Sequence, residues 1–124
     1  MTKVLIVEDS IVTQKLIMLN LEKRDNLEVI GFATNGIEAI MKTIELSPDV
    51  IVMDVCMPKM NGLDALKEIK RLNNVPVIFL STQVYMQDEL LNSGAVCFLE
   101  KNYENIKINL VDKINQYSKK MLVS

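Results

Sequence analysis

The sequence predicts an α/β protein, an open, doubly wound sheet of five parallel strands with helices on both faces. Three observations carry this: five short apolar runs rich in β-branched residues, segments of helical spacing between them, and turn residues at the joins. Each run is almost continuously apolar rather than alternating, which is how strands buried on both faces of a parallel sheet read. Strand and helix that alternate five times need crossovers on both faces of the sheet. Five strands are too few to close a (β/α)₈ barrel, so an open sheet remains.

The strands are expected at residues 4–7, 29–33, 50–53, 77–80 and 96–99. The first helix shows Leu16, Leu19 and Lys23 on one face, widened by Ile17 and Leu21. Ile37, Ile40, Met41 and Ile44 line the second, and Leu63, Leu66, Ile69 and Lys70 the third. Leu110, Ile114, Tyr117 and Met121 line the last, at the spacing that brings residues onto one helical face. The fourth helix is weak, since only residues 84–93 are available to it. Ser47-Pro48, Asn73-Asn74 with Pro76, and Ser93-Gly94 supply the stops.

A chain of 124 residues fits one domain with a core of its own, and residues 119–124 read as the possible start of a linker. Lys and Arg number 14 against 16 Asp and Glu, with no long basic run, which disfavours direct nucleic-acid binding as the main task. No apolar stretch is long enough to span a bilayer, so membrane insertion is not expected. Cys56 and Cys97 are the only cysteines and there is no histidine, which excludes Cys-His chemistry. Both cysteines read as small buried hydrophobes in a reduced, cytoplasmic setting.

In an open parallel sheet, ligands bind beyond the carboxyl ends of the strands. Glu8 and Asp9 follow the first strand, Asp54 the third, Ser81 and Thr82 the fourth, and Glu100 and Lys101 the fifth. Taken singly, Asp9, Ser10 or Ser81 reads as a helix cap and Lys101 as a solvated lysine. Asp54 differs, because it closes the most apolar strand and precedes Met57-Pro58 and Asn61-Gly62, a sharp turn into a helix. Three converging carboxylates repel one another unless a cation offsets them, and hard oxygen ligands suit Mg²⁺. A carboxylate nucleophile (Asp54), a metal site, a lysine (Lys101) and a hydroxyl (Ser81) are what phosphoryl transfer requires.

These motifs resemble the response-regulator receiver domains of two-component signalling over nearly the whole chain. The acidic pair matches Glu8-Asp9, and the family's D-x-x-M-P-x-x-x-G stretch matches residues 54–62. The hydroxyl residue matches Ser81, and the switch aromatic and lysine match Phe98 and Lys101. The resemblance implies a (βα)₅ flavodoxin-like strand order of 2-1-3-4-5. It also implies Mg²⁺, with Mn²⁺ able to substitute, held by Glu8, Asp9, Asp54 and the backbone carbonyl of Cys56. Asp54 would take a phosphoryl group from a sensor histidine kinase, with Lys101 and Ser81 completing the catalytic set, and slow self-dephosphorylation would reset it. Ser81 and Phe98 would form the switch, and Cys56, Thr82 and Gln83 would tune the lifetime of the phosphate. Output would pass to an effector protein or an attached output domain through the fourth helix, fifth strand and fifth helix, the chain being a monomer or a weak phosphorylation-dependent dimer.

Two departures from the family pattern stand out. Asn102 replaces the proline that usually follows the lysine, and the segment between Ser81 and Gly94 is shorter than the family norm, so the fourth helix is expected to be short or irregular. Residues 94–101 and the later Ile106-Lys107-Ile108-Asn109-Leu110 are similar to the receiver portion of chemotaxis methylesterases. A stand-alone chemotaxis-type regulator and an excised receiver of a larger regulator, such as a methylesterase or transcription factor, both stay open. A receiver-shaped module that docks a partner constitutively is the alternative function. A haloacid-dehalogenase phosphatase would need an aspartate where Cys56 stands, and a flavodoxin would need a phosphate loop where Glu8-Asp9 stand.

Overall fold

The computed structural model describes residues 1–118. Five parallel strands form one sheet: β1 (Thr2–Val7), β2 (Leu27–Ala33), β3 (Val50–Met53), β4 (Val77–Ser81) and β5 (Cys97–Glu100). Their spatial order is β2-β1-β3-β4-β5, the order the sequence reading anticipates. β1, β3 and β4 are therefore interior, which explains why residues 4–7, 50–53 and 77–81 are all buried. The register of β1 against β2 shifts between Val4 and Leu5.

Five helices follow the strands: α1 (Ile11–Glu22), α2 (Gly36–Leu46), α3 (Gly62–Leu72), α4 (Gln87–Asn92) and α5 (Leu110–Tyr117). One core cluster joins Leu5, Val7, Ile51, Met53, Val77 and Phe79 of the sheet to Ala39 of α2, Leu63, Leu66 and Ile69 of α3, and Leu90 of α4. The opposite cluster joins Val4, Ile6, Val52, Ile78 and Leu80 to Ile17 and Leu21 of α1 and Leu110, Val111 and Ile114 of α5. Alternate residues of each strand thus feed opposite layers, as strand pleating dictates. Burying each of these large apolar side chains contributes about 1.5–3 kcal/mol.

Helix starts are set by side-chain caps. Ser10, Asn35 and Asn61 accept hydrogen bonds from the backbone N–H of Thr13, Glu38 and Asp64, which satisfies donors that a helix N-terminus leaves open. The segment before β5 is irregular, as its short length implies. A 3₁₀ turn over Val84–Met86 leads into the six residues of α4, and Gly94 ends it at a positive φ of 113°. A π-helical turn, Asn105–Asn109, precedes α5.

Two helix faces differ from the sequence reading. The buried face of α1 is Gln14, Ile17 and Leu21, while Leu16, Leu19 and Lys23 face outward. In α2 the buried residues are Gly36, Ala39 and Thr43, and Ile37, Met41 and Ile44 are exposed. Small residues line the buried face of α2, and at its start a Cβ on Gly36 would come within 2.8 Å of the Met60 carbonyl oxygen in the turn before α3. α3 matches expectation with Leu63, Leu66 and Ile69 buried, as α5 does with Leu110 and Ile114. Tyr117 is half-buried, and Met121 lies outside the described residues, as does the proposed linker. The cysteines are a further correction, since Cys56 is exposed in the turn after β3 and Cys97 is only half-buried near the edge of the sheet.

Candidate functional site

The carboxyl ends of β1 and β3 lie side by side, because the Asp54 N–H donates to the Val7 carbonyl at 3.0 Å. That bond carries the strand pairing one residue past the sheet and sets Glu8 and Asp54 next to each other. Both are buried, at 3% and 7% exposure, whereas Asp9 is exposed. Carboxylate oxygens of Glu8, Asp9 and Asp54 all fall within 4.8 Å of one another.

Burial of two carboxylates costs free energy unless a cation compensates. Lys101 provides that charge. Its ammonium donates to Glu8 Oε1 at 2.6 Å and to Asp54 Oδ2 at 2.7 Å. Burial disfavours the Lys101 charge, but the hydrogen bonds to Asp54 and Glu8 and the charges of those groups outweigh it, so its pKa is raised. Burial pushes the Glu8 carboxyl up, opposed by hydrogen bonds from Lys101 and the Ser10 N–H.

Glu8 and Lys101 are fixed through their backbones. Glu8 N–H donates to the Ala33 carbonyl at 2.9 Å, and Lys101 N–H to the Ser81 carbonyl at 2.9 Å. The second bond extends the β4–β5 ladder and seats Lys101 beside Ser81. Asp54 Oδ1 accepts from the Val55 N–H at 2.7 Å, leaving Oδ2 to the lysine. Behind Asp54 the chain turns tightly. A Cβ on Gly62 would lie 2.3 Å from the Asp54 carbonyl oxygen, so only glycine fits there.

Glu8, Asp9, Asp54 and Lys101 thus converge as the sequence reading expects. Ser81 is fully buried, and its Oγ accepts the Gln83 N–H at 3.0 Å. Thr82 and Cys56 are exposed and Gln83 is half-buried. Among the described residues, Cys56, Thr82 and Phe98 make no side-chain hydrogen bond to the carboxylate cluster. Phe98 is half-buried and packs against the core layer that holds α3 and α4.

Asn102, marked in the sequence as a departure from the family pattern, and Gln14, which carries no such mark, both bear on the site. No peptide bond among the described residues is cis, so the Lys101–Asn102 bond is trans. Asn102 Oδ1 accepts the Asn105 N–H at 2.8 Å, and Asn105 Nδ2 donates to the Glu100 carbonyl at 2.7 Å. These two bonds bracket Lys101. Gln14, in the first turn of α1, sends its side-chain amide to the Glu8 carbonyl at 2.5 Å. No sequence signal separates such a glutamine from an ordinary polar helix residue.

The family model for the response regulator receiver domain matches residues 4–115. The chain belongs to the response regulator receiver family. Transcriptional regulatory protein YdfI of Bacillus subtilis is 44% identical over 94 residues, covering 76% of this chain and 43% of that protein. The protein-glutamate methylesterase/protein-glutamine glutaminase of the same organism is 42% identical over 114 residues, covering 89% of this chain and 32% of that protein. The matched region therefore spans less than half the length of either relative. The response regulator domain of Thermotoga maritima CheB superposes with a TM-score of 0.88 at 34% identity, covering 94% of this chain and 95% of that one.

Membership places this receiver in two-component signalling as a phosphorylation-dependent conformational switch. Its three hard oxygen donors fit Mg²⁺, and the cluster is consistent with the autophosphorylation chemistry of receiver domains. No helix among the described residues is long and apolar enough to cross a membrane.

Proposed function

We propose that Asp54 is the phosphoacceptor and that it takes the group from a phosphohistidine on a sensor histidine kinase. The observation that carries this reading is the position of Asp54: buried at the end of the central strand β3, with the Lys101 ammonium 2.7 Å from its Oδ2. An Asp54 carboxylate oxygen attacks the phosphorus; the P–O bond forms as the P–N bond breaks, and the leaving imidazole nitrogen keeps the electron pair and takes up a proton. Glu8, Asp9, Asp54 and the Cys56 backbone carbonyl are the groups to hold Mg²⁺, which when bound offsets charge on the phosphoryl oxygens. Mn²⁺ would substitute, being served by the same oxygen donors.

Lys101 exchanges its contact with Asp54 for one with the new dianion, and Ser81 donates its hydroxyl hydrogen to it. That hydrogen remains to be given, since Ser81 Oγ acts as an acceptor toward Gln83. Water attacks the same phosphorus to reset the site, the bond to Asp54 breaks, and phosphate departs. Cys56, Thr82 and Gln83 stand at the rim, where they set water's access and so the lifetime of the acyl phosphate.

Movement of Ser81 and Lys101 is passed along β4 and β5 to Phe98, whose half-buried ring turns into the space that Ser81 vacates. The readout surface is α4, β5 and α5; Leu91 is exposed on α4, Tyr85 in the 3₁₀ turn before it, and Tyr103 and Ile108 between β5 and α5, and these side chains suit a protein partner. That partner is a separate effector, with the receiver standing alone or pairing weakly when phosphorylated, or an attached output domain. The two curated relatives carry different outputs by name, so the receiver itself does not fix which. A chemotaxis setting follows from the methylesterase likeness, and two free cysteines suit the cytoplasm.

The test is intact mass after incubation with a small acyl phosphate and Mg²⁺, comparing the chain with Asp54→Asn. A gain of about 80 Da, the mass of one phosphoryl group, that needs both Mg²⁺ and Asp54 supports the assignment. No gain from folded, Mg²⁺-saturated protein would overturn it in favour of a constitutive docking module.

A further inference from the structure

Asp9 is the member of the acidic cluster that nothing visibly holds. Glu8 and Asp54 are buried and tied to Lys101, but Asp9 is exposed, and its side chain makes no hydrogen bond or ion pair among the described residues. Its carboxylate nonetheless lies within 4.8 Å of the other two. The direction in which Asp9 projects must come from the backbone of residues 8–10.

That backbone is closed from both ends by one residue. Gln14 N–H donates to the Ser10 carbonyl at 2.9 Å, and Gln14 Nε2 donates to the Glu8 carbonyl at 2.5 Å. The first bond is the ordinary start of α1. The second is a tertiary choice, made by a side chain that is itself 9% exposed. Within the loop, Ser10 N–H reaches Glu8 Oε2 at 3.0 Å, and Ser10 Oγ caps the Thr13 N–H. Asp9 is thus the apex of a three-residue arch whose two feet both rest on Gln14.

We propose that Gln14 is a positioning residue for the divalent cation. It holds the Glu8–Ser10 arch so that Asp9 meets the metal without reorganising. The inference rests on the Mg²⁺ reading given above. Groups that orient metal ligands from behind typically change affinity by ten- to a hundredfold when removed. A buried, charge-neutral amide on a backbone carbonyl belongs at the lower end of that range.

The test is Mg²⁺ binding by calorimetry on the full chain, with the thermal midpoint measured separately in the absence of Mg²⁺. Gln14→Met keeps the length and burial of the side chain but removes the donor; Gln14→Arg restores a donor. Thr43→Val removes the buried Thr43 hydroxyl bond to the Ala39 carbonyl in α2, far along the chain, and serves as a control for simple destabilisation. We expect Gln14→Met to weaken Mg²⁺ binding about tenfold, Gln14→Arg to recover most of that loss, and Thr43→Val to lower the midpoint with Mg²⁺ affinity unchanged. Unaltered affinity in Gln14→Met, or equal weakening in all three variants, overturns the inference. If the unmodified chain itself binds no Mg²⁺, the metal reading fails, and this one with it.

Discussion

Lys101 and Asp54, 47 residues apart in sequence, meet as an ion pair of 2.7 Å at the mouth of the sheet. The same ammonium reaches Glu8 at 2.6 Å, so one lysine pairs with two buried carboxylates.

Lys101→Met would leave that pair of carboxylates without their counter-charge. A partly buried arrangement of this kind is worth less than a fully buried one, and we expect a loss of about 1–3 kcal/mol in urea unfolding. Mg²⁺ should return part of the loss, because a ligand that binds only the folded chain stabilises it by mass action. A variant as stable as its parent and indifferent to Mg²⁺ would mean that the two carboxylates share a proton instead.

Asn102 stands where the family usually has proline and caps the turn leading into α5 through Asn105. Asn102→Ala should cost about 1 kcal/mol, the usual worth of an N-terminal cap, and slow phosphorylation of Asp54 by loosening Lys101. Asn102→Ser, which keeps an acceptor, should recover both. Equal behaviour of the alanine and serine variants would remove the cap from the account.

The Thr34 backbone N–H, and after it the Thr34 hydroxyl, hold the Glu38 carboxyl below its usual range. A carboxylate whose folded pKa is depressed adds stability above its unfolded value of 4.5 and loses it as the pH falls through the lowered folded value. The thermal midpoint of the parent should therefore exceed that of Glu38→Gln at pH 6, and the gap should close on acidification below about pH 4. A gap independent of pH would show that shape rather than charge does the capping.

Gly62→Ala would press a methyl group to 2.3 Å from the Asp54 carbonyl oxygen and 2.8 Å from the Phe79 ring. The first neighbour is backbone and cannot step aside. We expect about 2–3 kcal/mol of destabilisation together with reduced phosphorylation, since Asp54 must move. Wild-type stability in urea would contradict the tight packing of this turn.

The sheet and the cluster were legible because their signals are local and redundant. Residues 4–7, 50–53 and 77–80 are apolar without interruption, and the interior strands they form lead straight into Glu8 and Asp54 or end at Ser81. Helix orientation was less legible. In α2, Ile37, Met41 and Ile44 read as core although the inward side is Gly36, Ala39 and Thr43, whose smallness allows close packing. Hydrophobicity scores the bulk of a residue, whereas this contact depends on lack of bulk. Cys56 misled for a related reason, since its residue type favours burial while its turn lies at the surface. Gln14 and Asn105 act through bonds to main-chain carbonyls, which leave no pattern in side-chain spacing.

The lysine that bridges Glu8 and Asp54 lies just beyond β5, one of the two edge strands and the last to be made. A ribosome delivers the two carboxylates and the three interior strands well before that lysine emerges. Assembly of the site is consequently a late event in biogenesis, and a nascent chain stalled before residue 101 would hold the acidic pair with no lysine between them.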